Sequence, residues 1–122
     1  MNMKKENKKM AGGSVLMDDA FSSCLVFFED AVRSLSKTTE EIFDDFDAHL
    51  GVSWEVRQEI LAGKALLEWG KISKGQKEKI RGLILAVEEM PRNAYAGSGI
   101  NDLKEPIWEV LRKMASAFLA ES

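Results

Sequence analysis

Apolar residues recur at intervals of three and four along five segments of the chain, which is the spacing of one face of an α-helix. No segment shows the alternation of apolar and polar residues that is typical of a strand. The pattern predicts helices over about 17–35, 39–50, 53–69, 74–90 and 102–119. Because the connections between them are short, we expect an all-α fold, a compact single-domain bundle of four to five short helices.

Short sequence signals predict where these helices begin and end. Capping boxes, in which two residues three positions apart satisfy free backbone donors, are predicted at Thr38/Glu41, Ser73/Gln76 and Asp102/Glu105. Ser53 is a favourable N-cap for the third helix, and Gly51 suits the left-handed end of the second. Gly63, inside the third helix, indicates a close helix crossing or a break.

Some apolar residues do not fit a single buried face. Val26 and Phe27 fall outside the apolar stripe of the first helix, and the third helix is apolar on nearly all sides. One side of the third helix is therefore a candidate partner surface. At helical spacing the tryptophans are expected in the core or at its edge, with Trp54, Trp69 and the loop residue Tyr95 as candidate interface aromatics.

The length of 122 residues predicts one domain. We expect a flexible basic tail over 1–16 and a single helical domain over 17–122, because the lysine-rich opening segment has no apolar periodicity. The segment after the lysines has too few consecutive apolar residues for a secretory signal, so we expect the protein to be cytoplasmic. A single cysteine, Cys24, fits a reducing compartment.

Acidic residues are concentrated between positions 18 and 47. On the second predicted helix, carboxylates fill the arc opposite the apolar residues Ile42, Phe43, Phe46 and Leu50, with no Lys or Arg among them. This acidic face consists of Glu40, Glu41, Asp44, Asp45 and Asp47. It either meets a basic protein partner by mimicking nucleic-acid phosphate, or it is a solvated face that keeps the protein in solution.

Basic residues crowd the start of the fourth predicted helix, where a helix N-terminus can hold an anion. This cluster consists of Lys71, Lys74, Lys77, Lys79 and Arg81. Its spacing is not that of a phosphate-binding P-loop, and no exposed aromatic residues alternate with the cations. Nucleic-acid binding through 71–81 is therefore only a third hypothesis, and the acidic and basic clusters could instead pair across a homodimer.

No catalytic or metal-binding motif is present in the sequence. Nucleophilic catalysis would require Cys24 to be activated by His49, but Cys24 falls on the apolar stripe of the first helix, where a thiol is typically inert. The carboxylates at 44–47 lack the spacing of a calcium-binding loop. We therefore expect no enzyme activity, no cofactor, no metal and no membrane partner.

The chain resembles the small immunity proteins of bacterial toxin–immunity pairs. The resemblance lies in size, helicity and charge, and in the helix-closing pattern from Val87 to Leu119, where VEEMP and a Gly-rich link precede DLKEPIWEVLRKMASAFL. It implies an inhibitor that covers a basic toxin or nuclease with its acidic helix face. The alternative is a structural adaptor or chaperone that docks a partner, or a second copy of itself, through apolar helix faces.

Overall fold

Five α-helices and three 3₁₀ segments form the described part of the chain, which in this computed structural model comprises the backbone of residues 5–120 and the side chains of residues 17–120. No strand occurs in this range, so the all-α prediction is confirmed. The helices are α1 (Lys5–Leu35), α2 (Thr39–Asp45), α3 (Val52–Leu61), α4 (Lys74–Glu88) and α5 (Pro106–Ala120). The 3₁₀ segments are Ala62–Glu68, Arg92–Tyr95 and Gly99–Lys104.

The core lies where α1, α3, α4 and α5 meet. The Phe28 ring of α1 packs edge to face on the Phe118 ring of α5, with the ring centroids 5.8 Å apart. The apolar stripe predicted for α4 is buried: Ile80, Leu83, Ile84, Val87 and, just past the helix, Met90. Burial of apolar side chains such as these is the dominant favourable contribution to the folding of a globular protein.

α1 begins at Lys5, twelve residues before the predicted start at Met17. The glycines at 12 and 13 do not interrupt it, because the residues around them include several with good helix propensity. The helix thus enters the segment 1–16 that was predicted to be a flexible basic tail. Residues 1–4 and the side chains of 5–16 lie outside the described residues, and the flexibility of this segment stays a prediction.

α2 is shorter than predicted and ends at Asp45 rather than near Leu50. Asp47 and Ala48 have φ angles of 66° and 49°, so the chain turns into the left-handed region before it reaches Gly51. The predicted role of Gly51 as the left-handed end of this helix is wrong, since its φ is −88°. Leu50 was expected in the apolar arc but is 69% exposed.

The third predicted helix consists of two parts. α3 runs from Val52 with Gly51 as its N-cap, so Ser53 does not cap it and lies buried in its first turn. At Ala62 the chain tightens into the 3₁₀ segment Ala62–Glu68. Gly63 therefore marks both a break and a close crossing, because a Cβ at this position would overlap the Phe28 ring of α1.

α5 begins at Pro106, a favourable first helical position, and not at Asp102. The capping box predicted at Asp102 and Glu105 is wrong. The Asp102 carboxylate is buried and accepts the Ser53 hydroxyl hydrogen at 2.7 Å, while Glu105 accepts a hydrogen bond from the Asn93 side chain. By contrast, the capping box of Thr38 and Glu41 is confirmed. Ser73 caps α4, because its hydroxyl oxygen accepts the Gln76 N–H, but the return bond from the Gln76 side chain that would complete the predicted box is not formed.

Candidate protein-binding surfaces

The predicted acidic face divides into residues with contacts inside the fold and residues without them. The Glu41 carboxylate closes the capping box of α2. The Asp45 carboxylate accepts hydrogen bonds from Lys37 at 2.9 Å and from Ser34 at 2.8 Å, and these contacts lower its pKa below the usual 3.8. The side chains of both residues therefore stabilise the junction of α1 and α2.

The other three carboxylates of this face, Glu40, Asp44 and Asp47, are exposed and form no ion pair with a described residue. Glu40 and Asp44 are one helical turn apart on α2, so their charges repel each other. The helix dipole partly offsets this repulsion at Glu40, which lies in the first turn of α2, but no described cation does. Of the five predicted contact residues, these three are the ones available to a basic partner.

The negative charge extends beyond α2. Residues 17–60, which span most of α1, all of α2 and all but the last residue of α3, hold eleven carboxylates against three Lys or Arg side chains. We call this region the acidic half. α2 contacts α1 and the Gly99–Lys104 segment, whereas the basic helix α4 contacts α3, α5 and the Ala62–Glu68 segment. The acidic face of α2 and the basic cluster are thus on different parts of the molecular surface.

One member of the basic cluster at the start of α4 is paired within the fold. The Lys71 ammonium lies 3.1 Å from the Asp18 carboxylate of α1, and together with the Trp69 indole it lowers the pKa of that carboxyl group below 3.8. Lys74 and Arg81 are exposed, and Lys77 and Lys79 are half-buried. An anion site at this helix end stays a prediction.

Two of the three candidate interface aromatics lie together. Trp54 is 56% exposed and, with Tyr95 and Arg92, lines a shallow recess between α3 and the Arg92–Tyr95 segment. The guanidinium of Arg57 lies 3.8 Å above the centre of the Tyr95 ring, which holds this aromatic side chain in place.

The remaining tryptophans make contacts within the fold. Trp69 stacks on Phe21 with the ring centroids 5.5 Å apart, and its indole N–H donates to Asp18. Trp108 is buried and donates to the Ala94 carbonyl. The expectation of a core position holds for Trp108, whereas Trp54 has the surface position that suits a partner contact.

An apolar groove runs along α1 and was not predicted as a site. Two adjoining recesses, with volumes of about 500 and 190 Å³, share Ala20 and Cys24 and extend from Met17 to Phe27. The lining includes small residues, among them Ala62 and Gly63 of the 3₁₀ segment, and the rings of Phe27 and Phe28. Two features of the sequence could have indicated this groove. Phe27 lies outside the apolar stripe of α1, and Gly63 lies in an otherwise apolar segment.

Phe27 is 70% exposed at one wall of this groove, and Met17 is exposed at its other end. A phenyl ring left in water forgoes the favourable free energy of burial, about 1.5–3 kcal/mol for a side chain of this size. Large apolar side chains clustered in a recess are typical of a surface that binds another macromolecule.

Cys24 and His49 contact different elements. The Cys24 thiol donates to the Ala62 carbonyl at 3.6 Å, and burial raises the pKa of this thiol, which disfavours the nucleophilic thiolate. His49 lies beyond the end of α2, where its Nδ1 accepts the Gly51 N–H and its Nε2 lies 2.7 Å from the Glu55 carboxylate. These contacts give each residue a role in the fold. Among the described residues, no group of three or more potential ligands is arranged to hold a metal ion.

No protein-family model, curated protein or solved structure matches this chain. Among the described helices, none is both long enough and apolar enough to cross a membrane. The functional argument therefore depends on the surfaces themselves.

Proposed function

We propose that the protein is a small binding module of the inhibitor or immunity type, which neutralises a basic protein partner through its acidic half. The main supporting observation is that Glu40, Asp44 and Asp47 are exposed without a compensating cation among the described residues. A surface of one charge sign attracts an oppositely charged partner over several ångströms and raises the rate of encounter. The carboxylates then pair with arginine or lysine side chains that otherwise bind phosphate.

The test of this proposal compares two double charge reversals. Glu40→Lys with Asp44→Lys changes the acidic face, while Glu78→Lys with Glu89→Lys makes the same change of net charge on exposed positions at α4. Each tagged protein is used to capture partners from a lysate of the source organism, with washes at about 50 and about 500 mM salt. The association rate is then measured with the purified partner.

We expect a basic partner that is lost at high salt and that associates about tenfold more slowly with the α2 variant only. Circular dichroism of both variants checks that the helices are intact. A partner that is held equally at both salt concentrations and by both variants would contradict an electrostatic role for α2.

An adaptor or chaperone is a second candidate function, and the groove along α1 favours it. In this case the partner is held mainly by apolar contacts, which are insensitive to ionic strength. The same experiment separates the two functions, because an adaptor's partner survives the wash at high salt.

A further inference from the structure

The groove along α1 has the dimensions of a docking site for one helix. Ten residues separate Met17 from Phe27, which corresponds to about 15 Å along the helix axis. A partner helix of about ten to twelve residues spans this distance, with apolar side chains at intervals of three and four pointing to the floor. The small lining residues Ala20, Ala62 and Gly63 leave room for large side chains of such a helix.

One carboxylate lines the rim of the groove. Glu59 of α3 is exposed there and has no cation within ion-pair distance among the described residues. Partial burial and the nearby carboxylates of Glu55 and Asp30 raise the pKa of Glu59. Among the described residues, Arg33 is paired with Asp30 and Lys71 with Asp18, so neither cation neutralises Glu59.

We infer that this groove binds a basic amphipathic helix of the partner protein, with apolar residues along the groove and a lysine or arginine side chain against Glu59. The inference rests on the proposed function and specifies which part of the basic partner is recognised. A second copy of this chain is a poorer occupant, because an isologous contact would place the acidic rims of the two copies close together.

The probe is a synthetic helical peptide of about 14 residues, in which leucine recurs at intervals of three and four and lysine fills the other positions. A matched peptide carries glutamate in place of every lysine. Cys24 lies in the groove and is the chain's only cysteine, so its alkylation by a bulky maleimide reports occupancy at this place. We expect the lysine peptide to slow alkylation at least about fivefold at saturation and the glutamate peptide to leave it unchanged.

Variants locate the binding site. Ala20→Trp fills the groove from an exposed position, and Ala117→Trp adds the same side chain to exposed surface on α5. Glu59→Lys reverses the rim charge, and Glu78→Lys is its control on α4. In fluorescence anisotropy with the labelled lysine peptide, we expect Kd to rise about tenfold for Ala20→Trp and about fivefold for Glu59→Lys, with both controls within about twofold of the original.

Three results would overturn the inference. The glutamate peptide could protect Cys24 as well as the lysine peptide does, the two Ala→Trp variants could bind the lysine peptide equally, or sedimentation could show a dimer that Ala20→Trp dissociates. The last result would make the groove an interface between copies. The proposed function is tested separately, because a native partner lost on reversal of Glu40 and Asp44 but retained by Ala20→Trp supports the acidic face and contradicts only the groove.

Discussion

Asp102 shows how one buried side chain can hold a loop in place. Its Oδ2 accepts the Ser53 hydroxyl hydrogen at 2.7 Å and the backbone N–H groups of Gly97 and Ser98 at 2.9 and 3.1 Å. Gly97 has a φ of 95°, a conformation that a residue with a Cβ rarely adopts. The carboxylate thereby connects α3 to the turn after Tyr95, and so it fixes the two sides of the aromatic recess relative to each other.

Replacing Asp102 by alanine should destabilise the fold by about 2–4 kcal/mol, because the buried Ser53 hydroxyl and two partly buried backbone N–H groups lose their acceptor. Asn101→Ala is the matched control, since Asn101 is exposed and should change the free energy of unfolding by no more than about 0.5 kcal/mol. Urea unfolding followed by circular dichroism measures both variants. Equal stability of the two would show that the Asp102 contacts contribute little.

At the scale of elements, the crossing of α1 and the Ala62–Glu68 segment depends on the absence of a side chain at Gly63. The Phe28 ring occupies the space where a Cβ would lie. This close approach puts the 3₁₀ segment against α1 and leaves the groove floor beside it. The same contact therefore contributes to the core and shapes the candidate docking surface.

Gly63→Ala should lower the free energy of unfolding by about 1–3 kcal/mol, the usual cost of overpacking a filled core. Gly75→Ala is its matched control, because nothing lies within 4 Å of a Cβ there and the position is in the first turn of α4. That variant should gain about 0.4–1 kcal/mol from the reduced entropy of the unfolded chain. Thermal and urea unfolding give the sign of each change, and a neutral Gly63→Ala would mean that Phe28 moves aside freely.

The junction of α1 and α2 should respond to acid through Asp45. The hydrogen bond and ion pair with Lys37, with the hydrogen bond from Ser34, lower the pKa of the Asp45 carboxyl group in the folded protein. A carboxyl pKa that is lower in the folded than in the unfolded state stabilises the fold above the usual value of 3.8, and this contribution is lost as the pH falls through the folded pKa.

The stability difference between the original protein and Asp45→Asn should therefore shrink as the pH is lowered from about 7 to about 2. Asn101→Ala is the control, since Asn101 is exposed and its side chain does not titrate. Its stability difference should stay nearly constant across the same range. Urea midpoints at several pH values provide the comparison, and a constant difference for Asp45→Asn would show that the contact with Lys37 does not persist in solution.

Sequence periodicity predicted the elements whose burial follows one stripe, such as α4 with Ile80, Leu83 and Ile84. It did not predict the end of α2, because Asp47 and Ala48 adopt left-handed backbone angles that neither residue type requires. It also assigned Asp102 to a cap, because its long-range contact with Ser53 leaves no local sequence signal. The groove was missed for a similar reason, since α1 and the Ala62–Glu68 segment form it only when they pack together.

At the scale of the whole molecule, the separation of charge affects the attraction of charged partners more than the net charge of −3 does. The acidic half carries a large excess of carboxylates, while residues 61–120 hold ten Lys or Arg side chains against seven carboxylates. The fold places α2 and α4 against different neighbouring elements, and the ion pair of Lys71 with Asp18 cancels the opposite charges only in part. A partner of either sign thus meets a surface that attracts it on one part of the protein and repels it on another.

This asymmetry gives the protein a permanent electric dipole moment, which exerts a torque on the molecule as it nears a charged body. If the partner is basic, as we propose, its field rotates the molecule during approach, so that α2 turns forward before contact. The rotation acts only within a few screening lengths, about 10 Å each at 0.1 M salt. A larger share of collisions is then productive than random tumbling allows, and a chain of 122 residues gains speed of capture without a larger interface.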